Sequence, residues 1–329
     1  MYLSYLLMGL VASTSPAVND PFSVQQVSAR TLTGEELVRI AEIHDRQNHF
    51  PEALTYYEQA LEAFRARKQR RGEAIVGTRI GSMYERQGRR QEAAVHVRHA
   101  LTLFSKAPES PVYADALFLM ARLSLWLGNA DDAGPLFERA KERYRRAHNV
   151  QALESVMLQS GLLKVREASS DEGLHEIRQV LDEARTRKDR EQTLAALVVS
   201  GDADWILERN QSAAAHYDES LILLQEQPQA KTEAGVRMRV AAVRGDMGAG
   251  EQGLDSAKRA VILYQSLRDV SGEAAAWALF GSLHEALGHG FEAEEAHRRA
   301  LQIYRQRSVI VHDFAPPSPA AATARTESR

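Results

Sequence analysis

Three short stretches of this chain carry the residue types of a chemical site. Gly248-Ala249-Gly250-Glu251-Gln252-Gly253 has the G-x-G-x-x-G spacing by which a strand-to-helix loop cradles a dinucleotide pyrophosphate. His284-Glu285 followed by His289 supplies the imidazoles and carboxylate of a zinc-binding helix. Arg65 to Arg71 (RARKQRR) is the densest cationic run, of the sign that a phosphate backbone or an anionic membrane surface attracts. Context argues against each. The glycine loop needs a strand before it and a parallel sheet behind it, and no stretch alternates as a strand does. The two histidines are five residues apart, where four would place both rings on one helix face. The basic run has no interleaved aromatic residue on which bases could stack, and reads as a solvated helix end. No serine sits in a nucleophile elbow, and no Ser/His/Asp set assembles. The expectation is therefore no enzyme, with no catalytic, cofactor-binding or metal-ligating residue.

Bulk composition points the same way. In 329 residues, 41 bases and 44 acids leave a net charge of −3, which disfavours a binder that works by neutralising phosphates. There is no cysteine, which excludes disulfides, thiolate metal sites and cysteine nucleophiles. A hydrophobic content of 44% with 26% charge suits a soluble folded chain with material for a core.

The elements that hold these residues repeat. Ala41, Gly81, Ala121, Gly161, Gly201, Ala241 and Gly281 lie 40 residues apart without an insertion or deletion. A second small-residue ladder runs Ala53, Ala93, Ala133, Gly173, Ala213, Gly253, Ala293, and a third runs Ala60, Ala100, Ala140, Val180, Ser220, Ala260, Ala300. Two ladders of larger residues keep the register, one from Ile43 to Leu283 and one from Phe64 to Tyr304. Within the second unit Val76, Ile80, Met83 and Gln87 step by four, three and four, and Ala93, Val97, Ala100 and Phe104 do likewise after Gly88. Each unit is thus two helices joined by a tight turn. The turn is marked by Asn48, Gly88, Gly128, Ala168, Gly248 and Gly288, types suited to a helix C-terminus, while Glu208 breaks the pattern. Second helices open on acids such as Glu52, Glu92 and Asp131, and most close on bases, as the helix dipole favours. One hairpin cannot bury its own apolar face, so the units must stack, and a Gly or Ala at a crossing lets the backbones approach.

The segments Ile40 to Phe64 (IAEIHDRQNHFPEALTYYEQALEAF) and Ile80 to Phe104 (IGSMYERQGRRQEAAVHVRHALTLF) resemble the tetratricopeptide repeat family in their small-x-x-Tyr, turn-Gly and Ala-x6-Ala-Leu pattern. The resemblance covers about residues 34–307 and is weaker in repeats four to six. There Lys164, Asp204 and Arg244 stand where the family often has Tyr, which implies less regular packing. The family unit is usually 34 residues; the 40-residue version is similar to that of kinesin light chains and several bacterial regulators. The implied fold is an all-α, right-handed α-solenoid of about seven hairpins over residues 31–309. It is flanked by a lead at 1–30 and a disordered tail at 310–329. The lead holds an apolar run, Tyr2 to Ala12, that looks somewhat like a signal peptide but has no basic residue before it and is too short to span a bilayer. An exported or periplasmic location, slightly favoured, and a cytoplasmic one both stay open.

By the same resemblance, first helices line a concave groove with their positions 5, 9, 12 and 13, counting Gly34, Ala74, Ala114 and so on as 1. Repeats one and two are charged there (Glu42, Asp45, Arg46, Glu85, Arg86), whereas repeats three to five turn apolar (Leu125, Leu158, Val165, Val198 and Ile206 among them). The candidate partner-binding residues are Phe118, Arg122, Trp126, Leu162, Arg166, Asp202, Trp205 and Arg239. The competing expectation is that these side chains repack as core. The carboxylate-clamp pattern of the family is absent, since Val38 and Glu42 occupy its Lys and Asn positions. The expected function is a protein–protein interaction scaffold or adaptor that binds a partner segment in the groove. The alternative is a peptide-sensing signalling regulator of a separately encoded effector. The expected partner is a protein or peptide, without nucleic acid or stable membrane insertion, and the chain itself is a monomer or weak oligomer.

Overall fold

The structure, a computed structural model, describes residues 32–104, 110–167 and 169–307. The lead at 1–30, the tail at 310–329 and the turn residue Ala168 lie outside the described residues. Every regular element among the described residues is an α-helix. The first helices of the hairpins are α1 (Gly34–Arg46), α3 (Arg70–Arg86), α5 (Pro111–Trp126), α7 (Val150–Arg166), α9 (Arg190–Ile206), α11 (Ala230–Asp246) and α13 (Val270–Ala286). The second helices are α2 (Phe50–Ala66), α4 (Arg90–Phe104), α6 (Ala130–Arg146), α8 (Ser170–Arg187), α10 (Asn210–Glu226), α12 (Gly250–Ser266) and α14 (Gly290–Arg307). No helix among the described residues is long and apolar enough to cross a membrane.

The 40-residue period is two 20-residue steps, each a helix of 13 to 18 residues, and the same turn closes most of the described helices, though not α10, which ends on an extended Gln227. At the end of α1 the His49 N–H donates to the His44 carbonyl at 2.9 Å and the Asn48 N–H to that of Asp45 at 3.0 Å. That is the Schellman pair, and it requires a left-handed residue after the cap. Glycine supplies it at Gly88, Gly128, Gly248 and Gly288, with φ between 75° and 79°. Glu208 takes the same conformation at φ 59°, so the residue that breaks the sequence pattern leaves the turn intact. Lys68, His148, Lys188 and Arg268 do the same between hairpins.

The chain divides into two compact units, Met1–Ala63 and Phe64–Arg329. In the first, a capping box starts α1: Thr33 Oγ1 accepts from the Glu36 N–H, and Glu36 Oε2 accepts from the Thr33 N–H at 2.8 Å. The His44 ring stacks on Tyr56 at 5.4 Å. In the second unit, from α3 onward, each helix packs on the next in chain order. Among first helices, α3 also packs on α5, α7 on α9 and α11 on α13. A stack whose first-helix row lies closer together than its second-helix row curves toward the first helices, which makes them its inner wall.

The sequence ladders mark where the two helices of one hairpin cross. The first small ladder meets the second, twelve residues on. A methyl group on Gly161 would lie 2.8 Å from the Gly173 carbonyl oxygen, and one on Gly253 would lie 2.9 Å from that of Ala241. Three residues along, the family's Tyr position faces its own partner twelve residues later. Tyr84 meets His96 with ring centroids 5.5 Å apart. In hairpins four and five, charge replaces the rings. Lys164 Nζ reaches Glu176 at 2.7 Å, and His216 Nδ1 lies 3.2 Å from Asp204. Arg244 instead reaches back to Asp218 on α10 at 3.0 Å. Through repeats four to six the helices α7 to α12 keep 17 or 18 residues, with polar side chains at the crossing in hairpins four and five where other hairpins have rings.

Candidate functional site

The inner wall is read from side chains that reach from one first helix to the next. Arg122, at position 9 of α5, forms an ion pair with Glu85, at position 12 of α3. Arg239, at position 6 of α11, makes a forked contact with Asp202, at position 9 of α9: Nε to Oδ1 at 2.6 Å and Nη2 to Oδ2 at 3.2 Å. Trp205, at position 12 of α9, donates its indole N–H to Asp246, at position 13 of α11, at 2.8 Å. Positions 6, 9, 12 and 13 thus share one face. Position 5 carries buried or half-buried side chains. Leu158 is 3% exposed in the core, and Val198 packs against the cluster around Tyr217. Phe118 is half-buried with its ring centroid 6.1 Å from that of Phe137 on α6.

The eight candidate residues fall into distinct states. Asp202 and Arg239 are brought together and anchored from below. The Tyr217 hydroxyl donates to Asp202 Oδ1 at 2.7 Å, and Arg239 Nη1 also donates to the Gly235 carbonyl at 3.2 Å. Burial and the adjacent Asp202 carboxylate hold the Tyr217 hydroxyl protonated, with its pKa far above the usual range. Burial works against the Arg239 charge, and the Asp202 contacts more than offset it, so the guanidinium is held more firmly protonated than usual. Arg122 is engaged with Glu85, and its guanidinium also lies 5.6 Å from the Phe118 ring centre. Trp205 and Leu162 are half-buried, each against a core cluster. Trp126 differs: it is 45% exposed, with one ring face covered by the Arg90 guanidinium at 3.7 Å. Arg166 is exposed and makes no hydrogen bond or ion pair among the described residues. Of the wider apolar set, Val165, like Leu158, is 3% exposed and belongs to the core, while Ile206 packs half-buried on the same cluster. A rule counting only helix positions cannot separate a side chain turned toward the groove from one turned toward the second helix.

Three residues of this face were not read from the sequence as site residues. Asp246 occupies position 13 in repeat six, so extending the position rule by one repeat finds it. Arg90 and Tyr217 lie on second helices, and no sequence signal ties them to the groove.

The other motifs find structural places. Gly248 is the left-handed turn residue between α11 and α12, and Gly253 stands where α12 crosses Ala241. The rings of His284 and His289 do meet, Nδ1 to Nδ1 at 3.1 Å, because Gly288 turns the chain back between them. Spacing along a single helix misjudges that contact. Among the described residues no three His, Cys, Asp or Glu side chains converge as a metal site. In the basic run Arg65 pairs with Glu73 at 2.8 Å, and Arg67, Lys68, Arg70 and Arg71 are exposed.

Models of the tetratricopeptide repeat match residues 36–71 and 115–146. No curated protein sequence matches the chain. Among solved structures, the apo form of RapI is similar with a TM-score of 0.66 at 11% identity, covering 84% of this chain and 98% of that one. Aspartyl phosphate phosphatase F from Bacillus subtilis gives 0.63 at 11% identity, covering 86% and 73%. The Rap conjugation gene regulator of plasmid pLS20, in complex with the Phr* peptide, gives 0.60 at 14% identity, covering 90% and 83%. At such identities the likeness speaks for the fold. The repeat matches, the 40-residue ladders and fourteen helices paired into hairpins among the described residues agree on an all-α solenoid built of tetratricopeptide-type repeats.

Proposed function

We propose that this protein is an interaction scaffold that binds a segment of a protein partner along the first-helix face of hairpins three to six. The observation that carries the reading is Trp126. A tryptophan nearly half exposed on the inner row, with a guanidinium stacked on one face, is the kind of side chain that concentrates binding energy at interfaces. Phe118, Leu162 and Trp205 add half-buried apolar surface, and Arg122, Arg166, Asp202 and Arg239 add charge along the same hairpins. The site calls for no reagent chemistry. Binding of a segment needs only a shaped, partly apolar wall, which a repeat array provides.

The test compares proteins retained from native lysate by the immobilised full chain and by its Trp126→Ala variant. Partners retained by the first and lost from the second, at unchanged melting temperature, support the reading. Equal retention on both sinks it. The comparison separates groove from core, because truncating an exposed ring leaves stability within about 0.5 kcal/mol, whereas truncating a core ring costs about 3–5 kcal/mol.

A second reading, a signalling regulator that senses a peptide and acts on a separately encoded effector, is favoured by the Rap regulator that shares the fold and holds the Phr* peptide. A change in the radius of gyration on adding a bound peptide supports it, and an unchanged radius leaves the scaffold.

A further inference from the structure

The first-helix row is joined unevenly. α3 lies against α5, α7 against α9 and α11 against α13. The looser step from α9 to α11 is tied by Asp202 to Arg239 and by Trp205 to Asp246. The step from α5 to α7 is equally loose, and among the described residues no hydrogen bond or ion pair joins the two helices. Trp126 and Arg166 hold position 13 on its two sides. One is an exposed indole, the other an exposed guanidinium without a partner among the described residues. Leu162, at position 9 of α7, gives the seam an apolar side chain. Of the three candidate arginines, Arg122 and Arg239 are already neutralised by Glu85 and Asp202.

We infer that the α5–α7 seam receives a partner segment in which a large apolar side chain, seated on Trp126 and Leu162, lies within a few residues of an aspartate or glutamate paired to Arg166. This rests on the scaffold reading and names the partner's chemistry. Charge complementarity sets the sign, since an unpaired guanidinium is best met by a carboxylate, often through two parallel bonds. The groove sets the source. The inner wall continues past Arg166 on both sides, to α5 and to α9, so a segment crossing it has chain on either side, and a side-chain carboxylate fits where a chain terminus would leave one half of the wall empty.

The experiment selects a random dodecapeptide library, displayed with its C-termini fused to the carrier so that no free terminus exists, on the full-length protein. Enriched sequences should pair Trp, Phe, Leu or Met with Asp or Glu. A selected peptide, made in amidated form, should lose about tenfold or more in affinity when its acid becomes Gln or when Arg166→Glu is introduced, and should regain affinity for that variant when its acid becomes Lys. The melting curve of Arg166→Glu should overlay that of the unaltered protein. Peptides that bind Arg166→Glu as tightly as the unaltered protein, yet are lost on Trp126→Ala, overturn the carboxylate pairing and leave the scaffold reading standing. Peptides indifferent to both changes, or no enrichment, overturn both.

Discussion

Lys164 Nζ lies 2.7 Å from Glu176 Oε1, twelve residues along the chain, where other hairpins pack rings. Lys141, from the preceding hairpin, reaches the same oxygen at 2.9 Å and the Ser160 hydroxyl at 3.2 Å, and is only 5% exposed. Lys141 stands at a register position held by Leu61, Leu101, Leu181, Leu221, Val261 and Leu301 elsewhere. Two cations thus converge on one carboxylate inside the seam between hairpins three and four. Glu176→Gln should destabilise the protein by about 1–3 kcal/mol in urea denaturation, because it removes the shared carboxylate and leaves the buried Lys141 ammonium to Glu138, at 2.6 Å, and the Ser160 hydroxyl. Lys141→Leu with Lys164→Tyr and Glu176→Leu restores the apolar pattern and should be neutral or stabilising by about 1–4 kcal/mol. A triple variant less stable than Glu176→Gln would mean that packing, not charge, governs this seam.

Acid should act on the same cluster. Burial alone would raise the Glu176 pKa, but hydrogen bonds and charge from Lys164 and Lys141 outweigh it and hold the carboxyl below its usual range. A lowered folded-state pKa adds stability above the unfolded value, near 4.5, and that stability is lost as pH falls through the folded one. Between pH 5 and pH 3, by melting temperature, Glu176→Gln should therefore lose less stability than the unaltered protein. Parallel curves would contradict the assignment.

The crossing of α7 and α8 tests the small-residue ladder. A methyl group on Gly173 would run into the Gly161 carbonyl oxygen and the Val165 side chain. Gly173→Ala should cost about 1–3 kcal/mol, seen as a melting temperature lower by several degrees, while Gly134→Ala, with nothing within 4 Å of the added carbon, should not destabilise.

Glu208 holds a left-handed backbone at φ 59°, the conformation glycine takes in the equivalent turns. Glu208→Gly relieves a conformation costing about 1 kcal/mol and should leave stability unchanged or raise it by up to about 1 kcal/mol in thermal melts. A loss beyond 1 kcal/mol would show that the glutamate side chain matters to the fold.

The two arginines of the inner wall should separate. Arg239→Ala leaves half-buried Asp202 with only the Tyr217 hydroxyl and should lower stability by about 2–4 kcal/mol, whereas Arg166→Ala should change it by less than about 0.5 kcal/mol. Equal effects in chemical denaturation would erase the distinction between a strut and an open contact.

The hairpins were legible because the crossing imposes itself every 40 residues: only Gly or Ala fits where backbones touch, as Gly161 and Gly173 do, so steric demand writes the period into the chain. The candidate face was legible only in part. Trp126 at position 13 and Trp205 at position 12 both stand on expected groove positions, yet one is exposed and the other packs half-buried and donates to Asp246. His284 and His289 looked too far apart along a helix and meet across a turn.

By itself the sequence determined the period, the hairpin and the turn positions, since each depends on neighbours within one turn or one unit. Only the tertiary structure decided which charges are spent on the protein itself. Arg122 finds Glu85 at a separation of 37 residues and Arg239 finds Asp202 at 37, while Arg166 finds none among the described residues. Such pairings depend on how far apart successive first helices stand and on which rotamer spans the gap, and neither quantity is encoded in spacing along the chain.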